Sequence, residues 1–336
     1  MTADAGRVAL VTGANGFIGS SLCRELTRHG LQVIGTVRHD SDLSLLEGLN
    51  VELVTTDLRC RGTIRLPERT DYIIHAAAPV SDSATDVECE SGIYAATCNL
   101  AEATLTQCPA LRRFIYISTA LVLGYCRAGI SPSRPGRSAA HIPYVRYKQR
   151  AEELLLRLHR TRGLPVVILR PADVYGQFDR TSIAPMCRSL ERGLPLLVGR
   201  GRARLAYCHV GTLVQAVLQA CDAEQAVGRC YTVANLTTPS WQDFFGHLGA
   251  GLGCTPRRPL PASLAFGLTL VSELLHRLVP LARPPLTRYR FRRATADTTY
   301  DVADSLHALG ISPDEDIAGQ LQAAACWFRE CRAVRQ

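Results

Sequence analysis

Lysine is almost absent from this chain of 336 residues, in which 37 of the 38 lysine and arginine side chains are arginine. A codon bias toward arginine accounts for the general scarcity. Lysine and arginine differ in shape, hydration and donor geometry, so some sites accept one and reject the other. The single retained lysine, Lys148, is therefore a candidate for a position that needs an ammonium group.

Paired cysteine motifs, a secretion signal and long apolar runs are also missing. The thirteen cysteines are scattered, with no C-x-x-C pair and no H-E-x-x-H motif, which argues against a zinc site and predicts reduced thiols in a cytoplasmic protein. No apolar run approaches the roughly 20 residues that span a bilayer. The net charge of +8 is spread over the chain and does not indicate nucleic-acid binding.

The N-terminal segment has the pattern of a strand, a turn, a helix and a second strand. Arg7 to Thr12 is a short run of aliphatic and β-branched residues, which is typical of a buried strand. A helical segment follows from about Ser20 to His29, and Gly30 is placed to end it. Gln32 to Val37 is the next predicted strand, so the segment is a βαβ unit.

The alternation continues along the chain and predicts an α/β fold, a doubly wound parallel sheet covered by helices on both faces. The further predicted strands are Val51 to Thr55, Tyr72 to Ala76, Phe114 to Ile117, Val166 to Leu169 and Cys230 to Ala234. The predicted helices are about Ile93 to Gln107, Pro143 to Arg162, Ile183 to Arg192 and Gly211 to Asp222.

From Trp241 onward, helical pieces broken by prolines replace the alternation. This change predicts an α/β domain of residues 1–175 and 205–235 and a smaller, mostly helical region of residues 176–204 and 236–336. In that region one helical face carries Leu264, Leu268, Val271, Leu275 and Leu278. The stripe fits packing on the helix's own domain, a lid over an apolar substrate, or an interfacial helix at a membrane surface.

A glycine-rich turn joins the first strand to the first helix, in the context that a phosphate-binding turn needs. Gly13 permits the sharp turn, Gly16 lets the backbone approach a pyrophosphate, and Gly19 lets the helix pack closely on the strand. The free N–H groups and the dipole at the helix start favour an anion. The predicted dinucleotide-binding residues are Gly13, Asn15, Gly16, Phe17, Ile18 and Gly19.

The end of the second strand indicates which dinucleotide is bound. A site for NAD places an acidic residue there to bond the ribose hydroxyls, whereas this chain has Arg38. An arginine at that place can meet a 2′-phosphate, so NADP is favoured. Asp40 and Asp42 follow closely and keep NAD as the alternative.

Tyr144 and the sole lysine, Lys148, are four residues apart on a predicted helix and therefore share a face. A tyrosine that acts as acid or base near neutral pH needs a pKa well below about 10. A nearby ammonium favours the phenolate, and its three donors can also hold the ribose hydroxyls of a cofactor. The spacing predicts an acid/base pair beside a bound dinucleotide.

Two hydroxyls end another predicted strand of the parallel sheet. Ser118 and Thr119 follow Phe114 to Ile117, and side chains at the carboxyl ends of such strands project into the ligand crevice. A hydroxyl at this place can hold a substrate carbonyl oxygen beside the tyrosine. A local turn or cap bond is the other explanation for either residue alone.

With the glycine turn, the strand-end hydroxyls and Tyr-x-x-x-Lys in this order, the chain resembles the extended short-chain dehydrogenase/reductase family over about residues 7 to 325. The resemblance implies a Rossmann cofactor-binding domain and a substrate-binding C-terminal region. It places the catalytic hydroxyl on Thr119, five residues before Gly124, with Ser118 beside the cofactor. It further implies cofactor contacts at Asp57, Leu58, Ala76, Ala77, Pro171 and Val174.

Two positions depart from the family pattern. Sugar 4,6-dehydratases of the family carry an acidic pair after the catalytic hydroxyl, whereas Ala120 and Leu121 follow Thr119, so dehydration is disfavoured. Many members also have an asparagine near position 93 that supports a proton relay. Ile93 cannot fill that role, which leaves the path of the relay open.

The C-terminal third resembles the 3β-hydroxysteroid and 4-carboxysterol dehydrogenase branch, with dihydroflavonol reductases as relatives. The resemblance is carried by Leu260-Pro261, Pro284 to Thr287, Tyr300-Asp301 and Leu309 to Pro313. It implies reversible hydride transfer between NADP(H) and a ketone or secondary alcohol on a bulky hydrophobic substrate.

Two other functions fit the same residues. A nucleotide-sugar epimerase would use the same site, and a cofactor-sensing protein would have kept the fold and lost catalysis. The arginine runs at 200–204 and 288–293 fit either solvated surface or recognition of a carboxylate, a phosphate or a carrier-linked substrate. The sequence predicts no nucleic-acid partner and no metal, leaves peripheral membrane contact open, and is compatible with the homodimers common in the family.

Overall fold

Seven strands form a parallel sheet at the centre of the molecule. The computed structural model describes residues 6–278 and 286–333. The strands of the sheet are β1 (Val8–Thr12), β2 (Gln32–Val37), β3 (Val51–Thr55), β4 (Tyr72–His75), β5 (Arg113–Ile117), β6 (Val166–Pro171) and, labelled β9 by its place in the chain, Cys230–Val233. Two short strands outside this sheet, β7 (Asp173–Tyr175) and β8 (Tyr207–His209), pair in parallel with each other.

The sheet has the strand order β3-β2-β1-β4-β5-β6-β9, and every neighbouring pair is parallel. The chain reverses its direction of winding between β1 and β4, where open α/β sheets form their ligand crevice. β1, β4 and β5 are buried along their whole length, because helices cover both faces. The predicted doubly wound α/β fold is confirmed.

Alternate side chains of each strand enter two separate cores. Ala9 and Val11 of β1 pack in the cluster on one face, whereas Val8 and Leu10 pack in the cluster on the other. This division follows from the two-residue period of a strand.

The helices that flank the sheet come in two groups. On the first face lie α1 (Phe17–Arg28) and α6 (Val210–Asp222), and on the second α3 (Ala96–Gln107) and α4 (Pro143–Arg162). The remaining helices are α2 (Asp86–Cys89), α5 (Ile183–Glu191), α7 (Trp241–Leu252), α8 (Ala262–Leu278), α9 (Arg288–Thr295), α10 (Ala303–Leu309) and α11 (Ile317–Ala333).

The helix predicted from Ile93 to Gln107 begins earlier than expected. Thr85 and Glu88 form a capping box that starts α2, and a π-helical segment, Glu90–Ala95, connects α2 to α3. The extra residue of a π-turn interrupts the apolar period at this place. A search for a regular helical period therefore misses the first turns.

The C-terminal residues join the sheet domain as well as forming a cluster of their own. Val302, Leu306 and Leu309 pack in the same core as β1 and α6. A third cluster lies between α5, α7 and α11 and contains Phe244 and Phe328. Residues of the C-terminal chain thus contribute to both clusters, and the division into 1–175 plus 205–235 and 176–204 plus 236–336 stays a prediction.

The predicted apolar helix is present as α8, but its apolar stripe does not pack on the rest of the chain. Leu264, Leu268, Val271 and Leu275 are exposed, whereas Ala265 and Thr269 are buried. Of the three explanations given for the apolar stripe, packing on the helix's own domain is therefore wrong. The Leu278 side chain lies outside the described residues. Within the described residues, no helix is long and apolar enough to cross a membrane.

Candidate active site

The glycine turn between β1 and α1 is built by close backbone approach. Gly13 has a φ of +66°, and a Cβ on it would lie 2.9 Å from the Cα of Ala77. A Cβ on Gly19 would lie 2.0 Å from the Gly13 carbonyl oxygen. Gly16 precedes α1 and supplies no side-chain cap, so the first N–H groups of the helix are left for a ligand. This is the cradle that a pyrophosphate requires.

The residues predicted to contact the rest of a dinucleotide follow the carboxyl ends of the neighbouring strands. Arg38 follows β2, Asp57 and Leu58 follow β3, and Ala76 and Ala77 follow β4. Parallel strands bring these ends to one edge of the sheet. Pro171 ends β6 at the same edge, and Val174 lies in β7, a short strand outside this sheet.

Charges at the end of β2 are arranged around Arg38. Within the described residues the Arg38 guanidinium makes no ion pair, while its positive charge contributes to the lowered pKa of Asp57 behind the larger effect of Arg59. The Asp40 side chain is 98% exposed beside His39. Hydrogen bonds from Ser44, assisted by Arg180, lower the pKa of Asp42 to about 2. The two nearby carboxylates are thus engaged by other residues.

A buried hydrogen-bonded chain supports the segment after β4. Thr12 Oγ1 lies 2.8 Å from His75 Nδ1, and Thr97 Oγ1 lies 3.0 Å from His75 Nε2. The Ala77 N–H donates to Thr12 Oγ1 over 3.1 Å. Burial, and secondarily the charge of Lys148, lowers the pKa of His75 to about 3, so the imidazole stays neutral.

Lys148 is buried under the end of β5. Only 2% of the residue is exposed, and Nζ donates to the Ile117 carbonyl oxygen over 2.6 Å. Nζ lies 4.6 Å from the ring centroid of Tyr116 and 6.0 Å from that of Tyr144. Burial lowers the pKa of Lys148 to about 7, against the opposing effect of Glu152.

Glu152 lies one helical turn after Lys148 and is paired with Arg170 of β6. The Arg170 Nε and Nη2 atoms donate to the Glu152 carboxylate over 3.0 and 2.6 Å. Both side chains are largely buried. The pairing with Arg170 therefore fixes the Glu152 carboxylate near Lys148.

The charge state of Tyr144 differs from the sequence expectation. Burial raises the pKa of this half-buried phenol well above its ordinary value, and the nearby groups of Tyr289, Asp173 and Cys89 raise it further. The net shift is opposite to the lowered pKa that the sequence predicts for Tyr144. Desolvation outweighs an ammonium that is itself partly neutral at pH 7.

The two strand-end hydroxyls have different surroundings. Thr119 is 8% exposed, and its Oγ1 accepts a hydrogen bond from the Leu121 N–H over 3.3 Å, as the cap of the short 3₁₀ helix Ala120–Leu123. The local cap bond that competes with a catalytic role is therefore present. The Ser118 Oγ atom is buried and has no hydrogen-bond partner in the described part of the chain. Such an orphaned group is a candidate for a ligand contact.

A small cavity opens beside Thr119 and contains residues that the sequence did not single out. Asp173 and the Arg293 guanidinium form an ion pair there, and Arg293 Nη1 also donates to the Tyr289 hydroxyl over 3.3 Å. Apolar and hydroxyl-bearing residues complete the wall: Ala120, Leu121, Ala172, Ala206, Thr298 and Tyr300. One of the two predicted arginine runs, 288–293, thus reaches the site.

A buried hydrophobic residue occupies the position at which many family members have asparagine. Ile93 lies in the π-helical segment and is buried among the residues that support α4. No relay passes through its side chain. The charge of Lys148 acts on His75, which belongs to a buried chain whose members Thr12, His75 and Thr97 were not predicted as a unit.

Comparison with known proteins gives a consistent picture. Residues 9–234 match the family described as NAD dependent epimerase/dehydratase. The chain is 27% identical over 348 residues to Sterol demethylase protein B of Methylococcus capsulatus, which covers 96% of this chain and 98% of that protein. It is 25% identical over 361 residues to 3beta-hydroxysteroid-dehydrogenase/decarboxylase isoform 1 of Arabidopsis thaliana, with 98% and 81% covered.

Among solved structures, a UDP-glucuronic acid 4-epimerase from Bacillus cereus, in complex with UDP-glucuronic acid and NAD, has the same fold. The TM-score is 0.76 at 21% identity, and the match covers 96% of this chain and 99% of that chain.

Proposed function

Because this chain belongs to the NAD dependent epimerase/dehydratase family of NAD(P)-dependent enzymes, we propose that it transfers hydride between NADP(H) and a ketone or secondary alcohol on a bulky apolar substrate. The observation that carries the proposal is the buried Lys148, held on the Ile117 carbonyl one turn from Tyr144. Burial of an ammonium costs free energy that packing alone does not explain, which indicates a functional role for Lys148.

The residues present fit a dinucleotide. The uncapped start of α1 and the side-chain-free turn at Gly13 and Gly16 suit the pyrophosphate, and the orphaned Ser118 hydroxyl supplies a donor near the cofactor. Arg38 without an ion pair suits the 2′-phosphate of NADP, whereas Asp42 is engaged by Ser44 and Arg180. These features favour NADP over NAD.

In the proposed reaction the bound nicotinamide supplies or accepts the hydride. For reduction, the Tyr144 hydroxyl gives its proton to the substrate carbonyl oxygen, and the Thr119 hydroxyl donates a hydrogen bond to the same oxygen. The raised pKa of Tyr144 keeps the hydroxyl protonated in the protein without cofactor. For oxidation, the protonated Lys148 favours the phenolate that Tyr144 needs in order to accept the proton.

The wall beside Thr119 supports the proposal of an uncharged substrate. Its charged groups, Asp173 and Arg293, neutralise each other, so they offer no net charge to an anionic substrate. The names of the two relatives, a sterol demethylase protein and a 3β-hydroxysteroid dehydrogenase/decarboxylase, point to sterol-like alcohols. We assign cofactor binding to 1–175 and 205–235 and substrate binding to 176–204 and 236–336.

A substrate panel tests the proposal. Purified protein is mixed with NADPH or NADH and steroid, terpenoid and acyl ketones, or with NADP or NAD and the matching alcohols, and nicotinamide absorbance is followed. We expect net oxidation or reduction with at least one apolar compound and faster turnover with the phosphorylated cofactor. UDP-sugars are included, because their conversion without any net absorbance change would overturn the proposal in favour of an epimerase.

Replacement of the acid tests the residue assignment. Tyr144→Phe should lower kcat by roughly 10²–10⁴-fold while leaving the Kd for NADP nearly unchanged. Tyr147→Phe, three residues later on α4 and in the core cluster behind it, is the matched control and should keep its turnover. Full activity in Tyr144→Phe would refute the assignment.

A further inference from the structure

The helix α8 turns its polar side toward the protein and its apolar side toward the solvent, the opposite of an ordinary surface helix. Its inward side is polar: the Thr269 hydroxyl donates to the Ala265 carbonyl oxygen, and the Glu273 carboxylate accepts from the Arg288 N–H over 2.8 Å and pairs with the Arg288 guanidinium. Ser272 accepts from the Leu286 N–H. Most of the large apolar side chains of α8 are exposed, whereas Ala265 is buried and Phe266 packs on Phe291 of α9.

The exposed side is apolar over a wide arc. Leu264, Val271, Leu274 and Leu275 are 52–57% exposed, and Phe266, Leu268 and Leu270 are 38–43% exposed. At 100° per residue these side chains cover about 200° of the helix circumference. A stripe that meets one packed neighbour is about 100° wide. The arc is therefore wider than a single partner helix covers.

Basic residues outnumber acidic ones around α8. From Pro256 to Arg290 the sequence contains six arginines and one acidic residue, Glu273. Arg288 is paired with Glu273, and Arg290 is paired with Asp82. Arg257 and Arg258 are exposed just before the helix begins. An apolar helical face flanked by arginines has the chemistry of a helix that lies in the headgroup layer of an anionic bilayer.

We propose that α8 is a membrane-docking helix, which lies parallel to the bilayer surface with its exposed apolar face in the acyl boundary. Its breadth and its basic flanks favour lipid over a second copy of the chain, whose own arginine-rich flanks would be brought close by such a dimer. Docking requires no spanning segment.

Docking would also place the active site near the lipid. Phe266 of α8 contacts Phe291 of α9, with ring centroids 5.3 Å apart, and α9 carries Arg293, which lines the cavity beside Thr119. An apolar substrate dissolved in the bilayer would then reach the cavity past α9. This last step rests on the proposed function, whereas the docking itself does not.

Vesicle flotation of the full chain tests the docking without any measurement of turnover. Wild-type protein is centrifuged with vesicles of phosphatidylcholine alone and of phosphatidylcholine mixed with phosphatidylglycerol. We expect flotation with the mixed vesicles, weaker flotation with the neutral ones, and a loss of binding at high salt. The variant Leu264→Ser/Leu268→Ser/Val271→Ser/Leu275→Ser should bind at least roughly tenfold more weakly.

The matched control replaces exposed apolar residues elsewhere. Val87→Ser/Leu236→Ser removes side chains that are at least as exposed as those of α8 and should float like wild type. A second readout uses Val271→Trp, whose fluorescence should be quenched by brominated phospholipid, whereas that of Val87→Trp should not.

Three results would overturn the proposal. They are failure of the wild type to float with anionic vesicles, equal flotation of the four-residue variant, and a wild-type dimer that ignores vesicles but dissociates in that variant. The last result would assign the face to a second copy. An active enzyme that does not float would reject the docking and leave the proposed function standing.

Discussion

At the scale of single residues, the burial of Lys148 makes stability depend on pH. The pKa falls from its ordinary 10.5 to about 7 in the folded protein. Between these pH values the unfolded chain binds more protons at this position than the folded one, so the free energy of unfolding rises with pH. The cost of burying the ammonium is fully present below pH 7 and is gone above pH 10.5.

Lys148→Met should therefore be more stable than wild type at pH 6, and its advantage should shrink by about 3 kcal/mol or more toward pH 10. Urea unfolding of both proteins across this range measures the difference. Arg150→Met, on the exposed side of the same helix, should show the wild-type pH dependence. Parallel curves for Lys148→Met and wild type would contradict the lowered pKa.

Arg38 should decide the cofactor preference. A charge-assisted bond to a phosphate is worth about 1.5–3 kcal/mol, so Arg38→Ala should weaken NADP binding roughly 10- to 100-fold and leave NAD binding unchanged. Arg61→Ala, another exposed arginine, is the control. Calorimetric titration of wild type and both variants with each dinucleotide measures the affinities. Equal losses for NADP and NAD would mean that Arg38 does not meet the 2′-phosphate.

Local spacing could predict positions in the candidate site but not its charge states or long-range pairs. Tyr144 and Lys148 lie on one helix because a four-residue spacing fixes one face. Their pKa values depend on burial, which no spacing reveals. Asp173 and Arg293 are 120 residues apart, and nothing in either local sequence indicates their pairing. Only the arginine run at 288–293 gave a signal.

At the scale of elements, helices and strands with a regular pattern of apolar residues could be predicted, whereas short or irregular elements could not. The helix Pro143–Arg162 and the strands β2 and β3 have their predicted bounds. β7 and β8 were missed, because three residues are too few for an alternation and their pairing is non-local. The start of α2 was missed as well, although the capping box of Thr85 and Glu88 could have located it.

The contact between α1 and β1 should not tolerate a side chain at Gly19. The added methyl of Gly19→Ala would lie 2.0 Å from the Gly13 carbonyl oxygen, so the helix must move away from the turn. We expect a loss of at least about 2 kcal/mol of stability and little NADP binding. Thermal unfolding and calorimetry measure both effects.

Gly246→Ala provides the matched control for this helix contact. Gly246 lies within α7, and its Cβ would meet nothing within 4 Å. Alanine also has the higher helix propensity, so this variant should be as stable as wild type or gain up to about 1 kcal/mol. Wild-type NADP affinity in Gly19→Ala would show that the turn does not need the close approach.

At the scale of the whole molecule, the two regions that we propose for cofactor and substrate binding share a core. Val302, Leu306 and Leu309 come from the C-terminal chain yet pack with β1 and α6 of the sheet domain. Separating the two regions would expose this surface to water, at about 25 cal/mol for each Å² of apolar area. The fold therefore predicts that cofactor binding to the sheet stabilises the C-terminal helices as well.

The two tryptophans make this coupling measurable. Trp241 in α7 and Trp327 in α11 are the only ones in the chain, and both belong to the C-terminal cluster. NADP at 100 times its Kd adds about 2.7 kcal/mol, which should raise the unfolding midpoint by roughly 3–5 °C for a chain of this length. Tryptophan fluorescence and far-ultraviolet circular dichroism should report the same rise. A fluorescence transition that stays in place while the dichroism transition moves would mean that the two regions unfold independently.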